Sequence, residues 1–574
     1  MQNVGSIEVK RLDIVRLIEV LDVILSQVKG SSTYEDLKIG LREFDNTINE
    51  FAAQYQLAQF RFYGDTSQNE IKKLFEFYAQ AYPELELRIA QFQKIVGESP
   101  FLSLIQNDYG DNVYFLCKNA TFTYTEKAKQ LLQEESKLTN EFVTYKSQSK
   151  VEWEGTEVAI SKLYSYTKDA DRQKRKLAFD TLAGYFTSNK TYFYTQLIQL
   201  IEIRNEFARE LGFDSYVEYS LIKWNRIGYT YSDLKEYRDA AAMHFKETYE
   251  ILFEFKKKNL NQEDITYYDN NYFRDNFPQL TDKNEKSTIH KFKTILSQLS
   301  PNWLAVYESM LEANSIDYMD RENKVNMGYA TYVSQIDTPL IYSQFQNNDT
   351  DVRILTHEFG HALQFVLSYY NNPKKYFIEG TLDTVEIFSH SMEMLCLKDA
   401  QIFFGTDADK YGLLNYSGQL TQAMTCALGD EFQEIIYKQE NLTIDSIQSV
   451  YKGLQEKYTG NYFDSSENDF YINGDRWMEL DHYFNSPFYL IDYSLAIINA
   501  LNIYKIYTQN PQRGIEIWER LAKNIAHLNY KNITNLASEL QSPFDETYVK
   551  TTAEFAKNEL RRLLESYLAG QTAS

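Results

Sequence analysis

The sequence predicts a mainly α-helical protein with one small β-sheet. Apolar residues recur at intervals of three and four along most of the chain, and this spacing places them on one face of a helix. Only 22 Gly and 9 Pro occur among 574 residues, whereas an all-β protein of this length needs many turn residues. One segment, residues 324–345, departs from the helical spacing and is rich in β-branched and aromatic residues.

The clearest helical pattern begins at Leu37 and ends near Tyr55. Its apolar positions alternate between spacings of four and three, so they share one face. Similar patterns predict further helices at roughly 68–96, 125–148, 170–210, 231–260, 285–315, 414–440, 488–508 and 513–565. The chain shows no repeated unit of the kind that builds a solenoid.

Residues 324–345 predict two short strands joined by a turn at Asp337–Pro339. The segment directly precedes a long apolar run that reads as a helix. A small sheet followed by a long helix is the local arrangement that the motif described next requires.

Charge and composition exclude several classes of protein. The 59 basic and 81 acidic residues give a formal charge of −22. Such a charge repels phosphate backbones and anionic lipid surfaces, so neither a nucleic-acid partner nor a membrane partner is expected. No apolar run reaches the ~18 residues of a spanning helix.

The N-terminal residues and the cysteines indicate the cellular compartment of the protein. Charged residues between Glu8 and Arg16 leave no apolar core for a signal peptide. Three widely spaced cysteines cannot form a disulfide framework, and they favour a reducing environment; they are Cys117, Cys396 and Cys426. The sequence therefore predicts a cytoplasmic protein.

Residues 357–361 read His-Glu-Phe-Gly-His. On a helix, His357 and His361 lie on the same face, so both imidazoles can reach one metal ion. Glu358 is adjacent and can take a proton from a water at that ion. Asp349 or Thr350 is the expected cap of this helix.

The motif is specific, because the chain contains only seven histidines. Chance alone produces such a spacing on the order of 10⁻² times in a chain of this composition. The alternative is a surface helix that carries two unrelated histidines. Gly360 costs about 1 kcal/mol relative to Ala in a helix, which indicates either close approach by another segment or a tolerated glycine.

A catalytic zinc needs a third protein ligand. A second helix is expected over residues 382–393, after a loop through Lys374 and Lys375. Glu386 lies 25 residues after His361, and this gap fits an antiparallel return of the chain. Glu386 is therefore the predicted third ligand.

Two more residues of this second helix are candidates for the site. Glu393 lies seven residues after Glu386, on the same face, and can accept a hydrogen bond from a ligand imidazole. His390 is the competing third ligand. We prefer the interpretation that His390 is a polar residue packed near the site.

The C-terminal segment 476–493 carries a second cluster. His482, Tyr489 and Tyr493 are neutral donors that can stabilise an oxyanion. Aromatic residues at helical spacing are more often part of a core, and this structural interpretation stays open for the cluster.

Together these motifs resemble the oligoendopeptidase F / thimet oligopeptidase group of zinc metallopeptidases, and most closely its oligoendopeptidase F and Pz-peptidase branch. The resemblance covers roughly residues 200–560, and the first ~110 residues match no family segment. The strand region is less Gly-rich than in the family. The matching segments are 357–361, 383–386 with Glu393, 482–493, 327–343 and 210–216.

The resemblance implies a two-lobed helical protein around a deep substrate channel, with a zincin-like core and the small sheet beside the zinc-binding helix. It divides the chain into an N-terminal helical lobe, residues 1–195, and a catalytic region, residues 196–574. The zinc core is expected at about 320–400 and the substrate-contact segment at about 476–500.

The resemblance also implies an endopeptidase that cleaves short peptides, because folded proteins cannot enter such a channel. It assigns one Zn²⁺ to His357, His361 and Glu386, and general-base catalysis to Glu358. His482 is assigned to the oxyanion or substrate, together with tyrosines of the 489–493 segment. A monomer or a small homo-oligomer is expected.

Three alternatives remain at this point. A zinc carboxypeptidase uses the same ligand pattern but releases single C-terminal residues. A helical peptide-binding protein with a structural metal has no need of a base such as Glu358. An acidic scaffold with an accidental motif would contain almost no zinc.

Overall fold

The structure is a computed structural model that describes residues 1–120, 122, 125–270, 277–372, 380–460 and 462–572. Helices dominate these residues, as predicted, and the strands form two small sheets. The helices are α1 (Ile14–Lys29), α2 (Tyr34–Gly64), α3 (Asn69–Gly97), α4 (Leu102–Tyr109), α5 (Asp111–Asn119), α6 (Glu126–Gln148), α7 (Ile160–Tyr166), α8 (Arg172–Ser188), α9 (Lys190–Glu210), α10 (Tyr216–Lys223), α11 (Tyr231–Leu260), α12 (Glu285–Leu299), α13 (Pro301–Glu312), α14 (Asp349–Asn371), α15 (Leu382–Leu395), α16 (Gln401–Phe404), α17 (Ala408–Lys438), α18 (Ile444–Tyr458), α19 (Asp469–Ile472), α20 (His482–Asn485), α21 (Ile491–Gln509), α22 (Pro511–Lys523), α23 (Ile533–Leu536) and α24 (Glu546–Thr572). The strands are β1 (Lys150–Trp153), β2 (Thr156–Ala159), β3 (Ile316–Asp317), β4 (Tyr329–Val333) and β5 (Thr338–Tyr342).

The mainly α-helical class is confirmed. Two of the helices predicted from apolar periodicity are each divided in the structure. The predicted helix over 285–315 is two helices, because Ser300 caps α13 and Pro301 occupies its first turn. Proline suits that position, since its missing N–H has no partner there in any case. The predicted helix over 170–210 divides at Asn189, which ends α8.

The sheet expected before the metal-binding motif is present. β4 and β5 pair antiparallel, with Tyr329 opposite Tyr342 and Val333 opposite Thr338. The chain turns between them over Ser334–Ile336 and at Asp337, which has φ 47°. The predicted turn at Asp337–Pro339 is therefore placed too late, because Thr338 and Pro339 already belong to β5. A third strand, β3, pairs parallel with β5 and was not predicted. The order is β3-β5-β4, so β4 is an edge strand of this sheet in the described residues.

The chain forms two compact units, each assembled from three segments. The first unit contains residues 1–121, 278–415 and 499–542; the second contains residues 122–277, 416–498 and 543–574. This differs from a single boundary between residues 195 and 196, and that sequential division stays a prediction.

In the first unit, α2 packs against the three-stranded sheet. Tyr342 of β5 donates its hydroxyl to the carbonyl of Tyr63 at 2.6 Å. The buried Lys324 ammonium donates to the Asp317 carboxylate at 2.8 Å and also to the Ser343 carbonyl at 2.5 Å. The Lys324 bonds connect the chain just before β4 to β3 and to the end of β5. In the sequence, β5 is the last strand before α14.

In the second unit, long helices enclose several buried ion pairs. Arg238 of α11 donates to Asp430 of α17 at 2.5 Å, and both side chains are at most 1% exposed. Arg226 donates to Asp492 of α21 at 2.8 Å, and this pair is buried as well. Within the described residues, no helix combines the length and the apolar character that crossing a bilayer requires.

Candidate metal centre

The helix that carries the His-Glu-Phe-Gly-His motif is α14, and its first turn is closed by a capping box. The Asn348 side chain accepts from the Thr350 N–H at 2.9 Å. The Asp351 carboxylate accepts in return from the Asn348 N–H at 3.2 Å. The expected cap, Asp349 or Thr350, is therefore wrong, because both residues lie within the helix and Asn348 precedes it.

Burial on one side of α14 sets the rotation of the helix. Phe359 is fully buried, with its ring centroid 5.3 Å from those of Phe292 and Tyr307 in edge-on contacts. Three and four positions further along, Ala362 and Leu363 are equally buried. The histidines of the motif consequently lie on a less buried side, with 17% and 13% of their side chains exposed.

Gly360 allows α15 to approach α14 closely. A Cβ atom at this position would lie 2.6 Å from the Phe388 carbonyl oxygen and 2.8 Å from the Ser389 Cα. Both are backbone atoms, so neither can rotate away. Of the two readings of Gly360, the structure therefore supports close approach by another segment, and that approach brings the carboxylates of α15 to the histidines of α14.

The structure brings the three predicted ligands together. Glu386 Oε2 lies 3.5 Å from His357 Nε2 and 3.4 Å from His361 Nε2. One donor atom from each residue lies within 4.8 Å of the others. The loop expected through Lys374 and Lys375, which joins the two helices, lies outside the described residues.

Hydrogen bonds from neighbouring side chains orient these ligands. His357 Nδ1 lies 2.7 Å from Glu393 Oε1, so the ring presents Nε2 to Glu386. Asn415 donates to the other Glu393 oxygen at 3.0 Å. Ser389 donates to Glu386 Oε2 at 2.8 Å. Such contacts fix the ring orientation and the tautomer of a ligand imidazole.

His390, the competing ligand, lies on the Glu393 side of His357. Its Nδ1 is 3.9 Å from Glu393 Oε1, and its ring centroid is 5.3 Å from that of His357. Together with His357 and Glu393 it forms a second group of potential donors. Burial lowers the pKa of His390 to about 4, which keeps its ring neutral.

The pKa values of two carboxylates of the site, Glu358 and Glu386, shift in opposite directions. Burial raises the pKa of Glu358, and the two histidines beside it only partly offset this effect. Burial also disfavours charge on Glu386, but the attraction of His361 and His357 outweighs it and holds the pKa of Glu386 far below its ordinary value. Burial lowers the pKa of His357, whereas its hydrogen bond to Glu393 raises it, with a net value of about 9.

These residues fit a zinc ion. Two imidazole nitrogens and one carboxylate oxygen are a donor set of catalytic zinc sites. The Glu393 carboxylate is hydrogen-bonded to Nδ1 of His357, the ring nitrogen that faces away from Glu386. A histidine that binds a metal commonly has such a partner. The three donors converge closely enough to hold a single divalent ion.

The other predicted residues lie in the second unit. The His482 and Tyr489 rings are nearly parallel, with centroids 6.3 Å apart, and Tyr489 meets Tyr493 edge-on at 5.3 Å. All three side chains are partly exposed, whereas Tyr483 and Phe484 beside them are buried. Burial lowers the pKa of His482, so it is a neutral donor near pH 7.

Sequence reasoning missed Ser389 and Asn415. Helix geometry could have predicted the contact of Ser389 with Glu386, because residues three apart on a helix lie on the same face. Asn415 lies on α17, 22 residues after Glu393, and no spacing in the sequence connects it to the site.

The fold and the site define a class: a two-unit helical protein in which a His-Glu-x-x-His helix and a neighbouring helix bring two imidazoles and a carboxylate together. Comparison with known proteins shows which family has these features. A family profile described as "Peptidase family M3" matches residues 165–521, and one described as "Peptidase M3 N-terminal domain" matches residues 5–124. The chain belongs to peptidase family M3, a family of metallopeptidases. The family resemblance is thereby confirmed, and it extends further than expected, because the N-terminal profile covers the first ~110 residues, for which no family segment was found.

Two curated relatives are similar in sequence. "Oligoendopeptidase F homolog" of Borreliella burgdorferi is 23% identical over 374 residues, which is 62% of this chain and 60% of that protein. The match thus spans about three fifths of the length of that relative. "Oligopeptidase PepF" of Bacillus subtilis is 22% identical over 524 residues, which is 84% of this chain and 75% of that protein.

Solved structures share the fold over nearly the whole chain. The structure described as "PZ PEPTIDASE A with inhibitor 2" superposes with a TM-score of 0.87 at 25% identity, covering 97% of this chain and 99% of that one. A putative oligoendopeptidase F from Bacillus anthracis has a TM-score of 0.82 at 25% identity, covering 97% and 98%.

Proposed function

We propose that this protein is a zinc-dependent endopeptidase that hydrolyses internal peptide bonds of short oligopeptides. The observation that carries the proposal is the convergence of His357, His361 and Glu386 beside the buried carboxylate of Glu358. Membership of a metallopeptidase family and the names of the curated relatives support the same reaction class.

The metal ligands in this proposal are His357, His361 and Glu386, with Glu393 holding His357 in its ligating tautomer. When bound, zinc supplies a Lewis acid and lowers the pKa of a water molecule at the site. Ser389 and Asn415 keep the two carboxylates in place through their hydrogen bonds.

Glu358 is the proposed general base. It lies on the same helix as both histidine ligands and is only 8% exposed. A carboxylate whose pKa is raised by burial accepts a proton more readily than an exposed one. Glu358 takes the proton of the attacking water and later delivers it to the nitrogen of the leaving amine.

His482, Tyr489 and Tyr493 are the proposed donors to the substrate. Attack on the peptide carbonyl creates an oxyanion, and neutral donors placed near it lower the barrier. The partial exposure of all three side chains and the neutrality of His482 support this role.

The substrate is proposed to be an extended peptide segment. β4 is an edge strand, and edge strands pair with extended backbones through main-chain hydrogen bonds. Gly328, directly before β4, lies close to Glu358, since a Cβ atom there would be 3.6 Å from Glu358 Oε1. The family resemblance implies a deep substrate channel, and we propose on that basis that the substrates are short peptides.

The test uses a short, internally quenched peptide blocked at both ends, incubated with the purified protein with and without a chelator. We expect cleavage at an internal bond, loss of cleavage on chelation and recovery on adding zinc. The blocked C-terminus excludes a carboxypeptidase as the source of the signal.

A carboxypeptidase would instead cleave only the peptide with a free C-terminus and release single residues. If zinc-loaded protein cleaves neither form of several peptides, the proposal of an endopeptidase is wrong and a peptide-binding protein becomes the better interpretation.

A further inference from the structure

The segment of residues 483–490 in the second unit has a backbone that a bulky residue rarely adopts. Phe488 has φ 66°, in the left-handed region, although its side chain is fully buried. Strained positions of this kind persist only where the surroundings over-determine them, and they cluster at functional sites. His482 directly precedes the segment and Tyr489 lies within it, and both are proposed substrate donors.

Three side chains hold the backbone of this segment, two from the loop after α10 and one from α17. Arg226 donates to the Phe488 carbonyl and, at 3.1 Å, to Asp492 at the start of α21. Gln433 of α17 accepts from the Phe488 N–H at 2.9 Å. The Trp224 indole N–H donates to the Pro487 carbonyl at 2.9 Å.

A fourth side chain, Arg204 of α9, secures the beginning of the segment. It donates to the Tyr483 carbonyl at 3.3 Å and to the Phe484 carbonyl at 2.5 Å. Arg204 and Arg226 are almost fully buried. Water therefore does not compete for these bonds, and each cation has a carboxylate partner that keeps it in place, Glu135 for Arg204 and Asp492 for Arg226.

We propose that Trp224, Arg226 and Gln433 are positioning residues that hold segment 483–490 in its strained conformation and thereby fix the places of His482 and Tyr489. The proposal rests on the proposed function, in which those two side chains contact the substrate. Trp224 contributes twice, because its ring also lies 5.2 Å from the Tyr489 ring. A donor that is already in place before the substrate binds costs no reorganisation during the reaction.

The first test removes single hydrogen bonds. Trp224→Phe deletes the indole donor and keeps an aromatic ring beside Tyr489. Gln433→Met deletes the acceptor of the Phe488 N–H at similar side-chain volume. We expect kcat to fall about tenfold in each variant, while KM changes little and zinc content stays equal to that of the wild type.

The matched control is Tyr237→Phe. The Tyr237 hydroxyl donates to the Ser494 carbonyl at 3.0 Å, so this variant also loses a buried bond to backbone, but outside segment 483–490. We expect its kcat and KM to equal those of the wild type. A fall of kcat in the control equal to that in the other variants would assign the effect to general loosening and overturn the proposal.

The second test does not depend on activity. Hydrogen exchange of the backbone amides in residues 487–490 is compared between the wild type, Gln433→Met and the control. We expect exchange to accelerate about tenfold or more in Gln433→Met alone, because the Phe488 N–H loses its partner. Unchanged exchange contradicts the proposal, and it does so even if the wild type cleaves no peptide and the proposed function itself fails.

Discussion

At the scale of single residues, the pKa values of two carboxylates of the site, Glu386 and Glu358, shift in opposite directions because their surroundings differ. Glu386 faces both imidazoles and keeps its charge, so the pKa of its carboxyl is depressed in spite of burial. Burial raises the pKa of Glu358, and the attraction of His357 and His361 offsets this effect only in part. A ligand must be deprotonated, whereas a base must be able to take up a proton, and the two environments suit these separate tasks.

This difference predicts distinct effects of two substitutions. Glu358→Gln should keep zinc and lose about 10²-fold or more in kcat, because only the proton acceptor is removed. Glu386→Ala should lose zinc as well. Zinc content measured by metal analysis, together with peptide cleavage, separates the two variants.

His390→Ala serves as the control for this prediction. Since His390 groups with His357 and Glu393, whereas Glu386 groups with His357 and His361, we expect the His390→Ala variant to retain zinc. Normal zinc content in Glu386→Ala, combined with loss of zinc in His390→Ala, would make His390 the third ligand instead.

At the scale of elements, the contact between α14 and α15 determines the geometry of the site. Gly360→Ala would place a methyl group against the Phe388 carbonyl and the Ser389 Cα. Because backbone atoms cannot rotate away, the helices must separate. We expect a loss of about 1–3 kcal/mol in the free energy of unfolding, together with weaker zinc binding.

Gly184→Ala in α8 is the matched control for Gly360→Ala. A Cβ atom at residue 184 meets nothing within 4 Å, so the higher helix propensity of Ala should raise stability by up to about 1 kcal/mol. Denaturant unfolding of both variants provides the measurement, and equal effects of the two substitutions would contradict the close-contact argument.

A second prediction at this scale concerns pH and the second unit. Burial raises the pKa of Asp269, but hydrogen bonds from Arg172, Thr266 and Arg175 outweigh it, so the folded-state pKa lies below the ordinary value. A depressed carboxyl pKa stabilises the fold above the unfolded-state pKa of about 3.9 and loses this contribution as pH falls through the folded value.

Asp269→Asn should therefore lower the melting temperature near pH 7, where it leaves two arginines without their carboxylate. The difference from the wild type should shrink below about pH 4. The exposed Asp214 provides a charge-matched control, Asp214→Asn, for which we expect no such pH-dependent difference. Melting temperatures across this pH range test the argument, and a difference that persists at low pH would contradict it.

At the scale of the whole molecule, the formal charge of −22 creates a field that attracts cations. Such a field accelerates the encounter with cationic peptides and slows that with anionic ones. Salt weakens it, since the Debye length falls from about 30 Å at 0.01 M to about 8 Å at 0.15 M.

We therefore expect kcat/KM for a blocked peptide flanked by lysines to fall with added salt, by up to about tenfold. The same peptide flanked by glutamates should show the opposite trend. Parallel salt dependences for the two peptides would show that encounter with the substrate is insensitive to the net charge.

Local sequence patterns predict the mainly helical fold class and part of the candidate site. The helices α3, α6 and α11 begin and end close to the predicted positions, because their apolar spacing is regular. Thr125 and Thr230 also cap the starts of α6 and α11. The close pair α12 and α13 was read as one helix, since both share the same periodicity and only Pro301 marks the break.

The sequence by itself determined the mainly helical class, the pairing of His357 with His361 on one helix face, and the family pattern. These depend on residues a few positions apart, which helix geometry relates directly. Only the tertiary structure decided that Asn415 donates to Glu393, that Gly360 lies against Phe388, and that Arg226 holds a carbonyl 262 positions away. Such contacts depend on how whole helices pack, and no local spacing encodes that arrangement.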